Sequence, residues 1–380
     1  EYAQQAGKPV DGHAPGLRGE QAKTYIDAGI TTDHECTTYD EAAEKLSYGM
    51  KILIREGSAA KNFDALIDLL PQHWQQMMFC CDDKHPDELV LHHMNHHVKR
   101  ALAKGMDLFK VLTVACINPI EHYKMDVGQL RVGDKADFII IDNLEQFTIL
   151  KTVIEGQTVY EQGEVLFPRV DEICINQFQC KEKSAQDFAI PVDKAIHQLR
   201  VIEALDGQLI TRTHIVTPRI EEGCIISDPE HDILKMVIVN RYQDAPIAKA
   251  FIKNIGLKQG AIASTVAHDS HQLLCVGVND EAIAKAVNAL IRCQGGVAVV
   301  NDEQEYVLPL PVGGLMSNHA AQEVAASYSQ LDQKAKEFGS QLAAPFMTLS
   351  FMALLVIPQL KLSDKGLFDG QAFQFVDLFE

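Results

Sequence analysis

The chain has 380 residues, 47% hydrophobic and 23% charged, enough for two or three folded domains and unlike a disordered composition. A formal net charge of −18 argues against a nucleic-acid partner, because a duplex rewards a basic face. Nine scattered cysteines lack the spacing of a secreted disulfide scaffold and point to a reducing, cytoplasmic setting.

In chain order, the first stretch alternates short apolar runs with helical ones. Lys8-Pro9-Val10 leads into Asp11-Gly12-His13 and a helix over Gly19 to Ala28. Gly29 to His34 precedes a helix from Tyr39 to Tyr48. Met50 to Ser58 precedes one over Phe63 to Leu69. Gln76 to Asp83 precedes a long helix from Pro86 to Ala103. Four strand-then-helix units predict parallel β/α architecture for residues 1–125.

From Val127 the texture changes. Gly128 to Asp137 is rich in turn residues, Phe138 to Ile141 is a β-branched run, and Glu155-Gly156-Gln157 reads as the turn between strands Ile149–Glu155 and Thr158–Gln162. A small β domain is therefore expected over 126–170, with a polar connection from Asp171 to Ala189. Residues 190–380 are expected to form an α+β domain. Its strands are placed at Leu199–Glu203, His214–Thr217, Leu234–Asn240, Ile262–Ala267, Leu273–Val278 and Gly296–Val300, and its helices at Asp280–Cys293 and Ala320–Phe338. The longest uncharged run, Phe338 to Leu360, is interrupted by Gln341, Pro345 and Pro358. Its part from Phe346 to Ile357 is read as a buried helix or strand, not a membrane span. The opening residues, Glu1 to Gln5, show no initiator Met and no leader.

Each apolar run of the first region ends in an ionisable group: His13, His34, Glu56 and Asp82. In a β/α barrel such strand ends meet at one mouth, although a doubly wound sheet also lines them along one edge. Imidazole plus carboxylate suits zinc, iron or manganese. Asp33 and Glu35, flanking His34, can hold its tautomer. The histidines at 92, 93, 96 and 97 form i,i+4 pairs on a helix and are read as a solvated face, with His85 set apart by its place after Asp82-Asp83. His268-Asp269-Ser270-His271 is read either as a polar turn, or as a wall or flap of a pocket or a second metal position. A serine-hydrolase reading lacks its Gly-x-Ser-x-Gly elbow.

Asp11-Gly12-His13-Ala14-Pro15-Gly16, Asp33-His34-Glu35, Ile54 to Ser58, Asp82-Asp83 and Ala267 to His271 together resemble, in order, the motifs of the adenine deaminase family within the amidohydrolases. Gly133 to Asp137, Leu308-Pro309-Leu310-Pro311 and Gly366 to Gly370 extend the likeness nearly end to end. The resemblance implies an α/β fold: a partial (β/α)8 barrel, a small β-sandwich domain and an additional α+β C-terminal domain. It implies that His13, His34 and Asp82 bind a divalent metal, manganese or iron before zinc. Asp82, His34 and Glu56 would be catalytic, and Glu56, Arg55, Ser58, His268, Asp269 and His271 would contact substrate.

The expected reaction is hydrolysis of adenine to hypoxanthine and ammonia. Alternatives are an amidohydrolase acting on a cyclic amide, or a catalytically incomplete subunit with an assembly role. The family's His-x-His pair and a metal-binding Glu have no counterpart here, so a missing N-terminal half of the same enzyme is an expected partner. A homo-oligomer is also expected, with neither nucleic acid nor membrane as a partner.

Overall fold

The structure is a computed structural model and describes residues 2–58, 60–168, 170, 173–192 and 198–380. It divides into two compact units, Glu1–Lys84 with Leu91–Val170 and His85–Val90 with Asp171–Glu380. The start of the polar connection and residues 193–197 of the C-terminal region lie outside the described residues.

In the first unit, Thr32–Asp33, Lys51–Arg55 and Met77–Cys80 form a parallel sheet in that order, with Asp33 opposite Ile52 and Ile54 opposite Phe79. The continuous apolar runs fit strands covered on both faces. Parallel neighbours need a crossover, and the helix Tyr39–Ser47 supplies the first. Thr38 caps it by accepting from the Glu41 N–H, and Asp40 and Glu41 face the positive end of the helix dipole. Ile52, Ile54, Met77 and Phe79 pack with Leu46, Phe63, Leu66, Val98 and Ala101 in one core. Each of these side chains larger than alanine contributes roughly 1.5–3 kcal/mol on burial.

Two expectations for this region change. Lys8 to Val10 forms no strand, although the Thr31 N–H still donates to Val10 O at 2.8 Å. The long helix Pro86–Ala103 is two helices, Pro86–Leu89 and Met94–Ala103. The first packs on helix Ala321–Glu337 of the second unit, whereas the other buries His97, Val98 and Ala101 in the first. The same division corrects the histidine ladder. His97 is in the core with its ring between Cys80 O and His93 O, and burial lowers its pKa to about 4. His92 and His96 stack on the outer part of that segment, with centroids 4.2 Å apart.

Beyond these helices, Phe138–Ile141, Ile149–Ile154, Gln157–Glu161 and Glu164–Val165 form an antiparallel meander. Glu155 and Gly156 both have positive φ, +49° and +79°, as a tight two-residue hairpin turn requires.

The second unit is built on an eight-stranded sheet. Its order is Glu305–Pro309, Gly296–Val300, Ala261–Ser264, Leu273–Gly277, Ile233–Val239, Ala248–Lys253, Leu199–Ala204 and Thr211–Val216. Helix Asp280–Arg292, capped by the Asn279 side chain, lays Ile283, Ala286, Val287 and Leu290 on Val237, Ala263, Cys275 and Ala298. Strands Ala248–Lys253 and Glu305–Pro309 were not foreseen. The lysines at 249 and 253 and the acid at 305 mask the apolar positions between them. The uncharged run from Phe346 opens as helix Pro345–Phe351, buried throughout. Among the described residues no helix is long and apolar enough to cross a membrane.

Candidate functional site

The site in the first unit starts from a glycine. A Cβ on Gly12 would lie 2.8 Å from Thr32 O and 2.8 Å from the Tyr25 hydroxyl, so only glycine lets this loop lie against the strand end. The His13 N–H then donates to the Tyr25 hydroxyl at 3.0 Å. His13 and His34 meet edge to face, with centroids 4.7 Å apart. Glu35 stands beside them, its Oε2 3.6 Å from His13 Nδ1. One ligand atom from each of His13, His34 and Glu35 lies within 4.8 Å of the others, a candidate divalent-metal cluster.

Burial lowers the pKa of His34, and the Arg55 charge lowers it further, against the opposing pull of Asp82 and Glu35. A neutral ring keeps a nitrogen lone pair available as a ligand. Two imidazoles and a carboxylate are a donor set that fits zinc, iron or manganese.

Asp82 follows strand Met77–Cys80 and turns back with φ +49°, a left-handed conformation that Asp tolerates better than most residues. Its Oδ2 accepts from Arg55 at 2.8 Å and lies 4.0 Å from His34 Nε2. Arg55 also reaches Glu35 Oε1, at 3.5 Å. Glu56, next along its strand, is buried and engaged: Oε2 accepts from Arg100 at 2.6 Å and Oε1 from the Phe63 N–H at 3.3 Å. The Ser58 N–H donates to Asp83 O at 2.9 Å, closing the adjoining loop.

Sequence reasoning gave Glu35 only a supporting role and passed over Asn62. The Asn62 side chain accepts from the Arg55 N–H at 2.7 Å and donates to His34 O and Cys36 O at 3.2 and 3.0 Å. It fastens two strand ends together. An asparagine at the start of a helix signals only a cap, so nothing in the sequence marked this second use.

Asp33, Cys36 and Glu41 form another group of ligand-type atoms, all buried. The Lys45 ammonium already sits among them, 2.7 Å from Asp33 Oδ2 and 2.8 Å from Glu41 Oε1. Burial alone would raise the Asp33 carboxyl, but the charge and hydrogen bond of Lys45 outweigh it and hold the pKa below its ordinary value.

In the second unit, His268 stacks on Phe351 at 4.6 Å and approaches His271 at 5.6 Å. The segment is a tight turn. The His271 N–H donates to Ala267 O, Arg241 Nε donates to His271 O at 2.6 Å, and the Tyr242 hydroxyl donates to Ser270 O at 3.1 Å. Burial, more than neighbouring charge, lowers the His271 pKa. His85, earlier associated with Asp82-Asp83, belongs to this unit and packs edge-on against Tyr328 at 4.5 Å.

Residues 1–159 match the model of the amidohydrolase family, and residues 208–374 match that of the adenine deaminase C-terminal domain. An adenine deaminase of Methanosarcina mazei is 50% identical over 390 aligned positions, covering 100% of this chain and 70% of the relative. An adenine deaminase of Salinibacter ruber is 51% identical, covering 99% and 69%. Among solved structures, a β-aspartyl dipeptidase of Fervidobacterium islandicum AW-1 superposes with a TM-score of 0.36 and 19% identity, over 44% of this chain and 50% of that one.

Proposed function

Since this chain belongs to the adenine deaminase family of amidohydrolases, we propose that it replaces the exocyclic amine of adenine with water, giving hypoxanthine and ammonia. The observation that carries this reading is the convergence of His13, His34 and Glu35 beside the Asp82–Arg55 pair. Ammonia leaves an aromatic carbon poorly, so the reaction needs an activated water and a proton for the departing nitrogen.

His13 and His34 would hold a divalent ion, with Glu35 or Asp82 as the carboxylate. When bound, such an ion supplies the Lewis acidity that makes water a nucleophile at neutral pH. Asp82 takes the proton from the attacking water and returns one to the leaving amine, while Arg55 aims its carboxylate. Glu56, Arg55 and Ser58 are proposed to meet the purine edge, and Glu56 must exchange part of its Arg100 pairing to do so. His268, Asp269 and His271 are proposed as further substrate contacts.

Manganese or iron is the proposed metal, in keeping with the mixed nitrogen and oxygen donors. Nine unpaired thiols support a cytoplasmic location. Homo-oligomerisation belongs to the same proposal and is checked by light scattering. Pairing with a separate N-terminal half is checked by co-expression with a segment carrying His-x-His.

The direct test measures adenine loss and ammonia release by purified protein supplied with Mn²⁺ or Fe²⁺. Asp82→Asn is expected to lower kcat about a thousandfold, within the usual range for removing a general acid–base group. An unaltered kcat in that variant, or turnover of cyclic amides but not adenine, would overturn the reading.

A further inference from the structure

We propose that Lys45 is a positioning residue for the metal site, clamping the loop that carries His13 to the loop that carries His34. The inference rests on the reading of those histidines as ligands. Lys45 is 1% exposed, Asp33 0% and Glu41 3%, so the three charges sit together away from water. The ammonium has three hydrogens and three oxygen acceptors: Ala14 O, Asp33 Oδ2 and Glu41 Oε1.

The carboxylates carry the connection outward to backbone on both sides. Asp33 Oδ1 accepts from the Ala14 N–H at 3.4 Å and the Glu35 N–H at 2.9 Å. Glu41 Oε1 accepts from the Gly16 N–H at 2.8 Å, and its Oε2 accepts from the Thr37 N–H at 3.2 Å. Every one of these backbone groups lies within three residues of His13 or His34. The helix bearing Glu41 and Lys45 at i,i+4 thus holds the two ligand loops in one register.

Stability by itself gives little reason for such a triad, because well-packed apolar residues often replace buried ion pairs at no loss. What an apolar trio would lack is the set of directed bonds to Ala14, Gly16, Glu35 and Thr37. The triad's charges also sum to one negative, which favours a cation held beside it. Groups that orient ligands in this way commonly change metal affinity about 10–100-fold when removed.

The test titrates Co²⁺ into the full chain and records its visible absorption, for wild type, Lys45→Met, Glu41→Gln and His34→Ala. Lys45→Met is expected to weaken Co²⁺ binding at least about tenfold and to change the absorption bands, which report ligand geometry. Glu41→Gln preserves shape and a carbonyl acceptor, and carries the test if Lys45→Met does not fold. Its expected loss is about tenfold, the lower end of that effect. A residue that only supported the fold would lower the melting temperature and leave affinity and bands in place. That result in the folded variants, with His34→Ala impaired, would overturn the role of Lys45 alone. Failure of the wild type to bind Co²⁺, or indifference to His34→Ala, would overturn the ligand reading and this inference with it.

Discussion

Lys45 in the first unit and Lys361 in the second are both sealed from solvent, at 1% and 0% exposure, yet their surroundings differ in kind. Lys45 meets two carboxylates, which raise its pKa against the effect of burial. Among the described residues, Lys361 donates to Leu209 O and Phe351 O, at 2.7 and 3.0 Å, and burial pushes its pKa down to about 7. A neutral amine has two hydrogens for those two carbonyls; an ammonium would have a third with no counter-charge. The Lys45 site therefore keeps a buried charge next to the candidate metal ligands, whereas burial weakens the hold of Lys361 on its proton.

Removing each lysine should separate the two cases most sharply. Lys45→Met leaves Asp33 and Glu41 buried without a cation and should destabilise the first unit by about 3–5 kcal/mol. Hydrogen exchange at Ala14, Gly16, Glu35 and Thr37 reads this loss locally; protection unchanged there would break the comparison. Lys361→Met should act with the opposite sign, stabilising the second unit by roughly 2–4 kcal/mol below pH 7, where the wild-type amine must be charged. A destabilised variant would mean that the two carbonyl bonds outweigh the cost of burial.

The pH dependence sharpens the contrast further. For Lys361 the folded pKa is about 7 against an ordinary 10.5, so its penalty is full below pH 7 and is relieved as pH rises from 7 to 10.5. For Asp33 the folded pKa lies below 3.8, so its contribution is present above 3.8 and lost as pH falls through the lower folded value. For Lys45 the folded pKa lies above 10.5, so its contribution is present below 10.5 and lost as pH rises through the higher value. Between pH 7 and 10 the second unit should gain stability from its lysine while the first gains none from its triad. Exchange rates from strand Leu360–Ser363 and strand Lys51–Arg55, followed in parallel, would show this. The smallest effect is expected at the helix caps. Asn279→Ala and Thr38→Ala should each cost about 1 kcal/mol in chemical denaturation. Asn279 should cost more, its bond to the Ala282 N–H being 2.8 Å against 3.4 Å for Thr38 to Glu41.

Much of the fold was legible because local pattern and tertiary setting agree. Helix Asp280–Arg292 lies where the sequence placed one over Asp280–Cys293, and strand Lys51–Arg55 lies within the apolar run Met50 to Ser58. Helix Pro86–Ala103 was misread as continuous because periodicity does not record which core a face meets. His97 shows the same limit: within a run of polar histidines nothing marks the one that lies over Phe63 and Phe79. Of the site, the ionisable residues ending the apolar runs were readable as a set. Glu56 was readable as a strand-end carboxylate, but not its engagement by Arg100, which comes from 44 residues further along.

The sequence by itself determined many of the local elements and supplied the residue types for metal chemistry, because both are written in short-range spacing. Only the tertiary structure decided how tightly Lys45 and Lys361 hold their protons. The difference depends on whether carboxylates from elsewhere in the chain reach the amine: Asp33 does so for Lys45, whereas among the described residues Lys361 donates to backbone carbonyls. Electrostatic energy in a dry interior depends on distance in space, which separation along the chain does not fix.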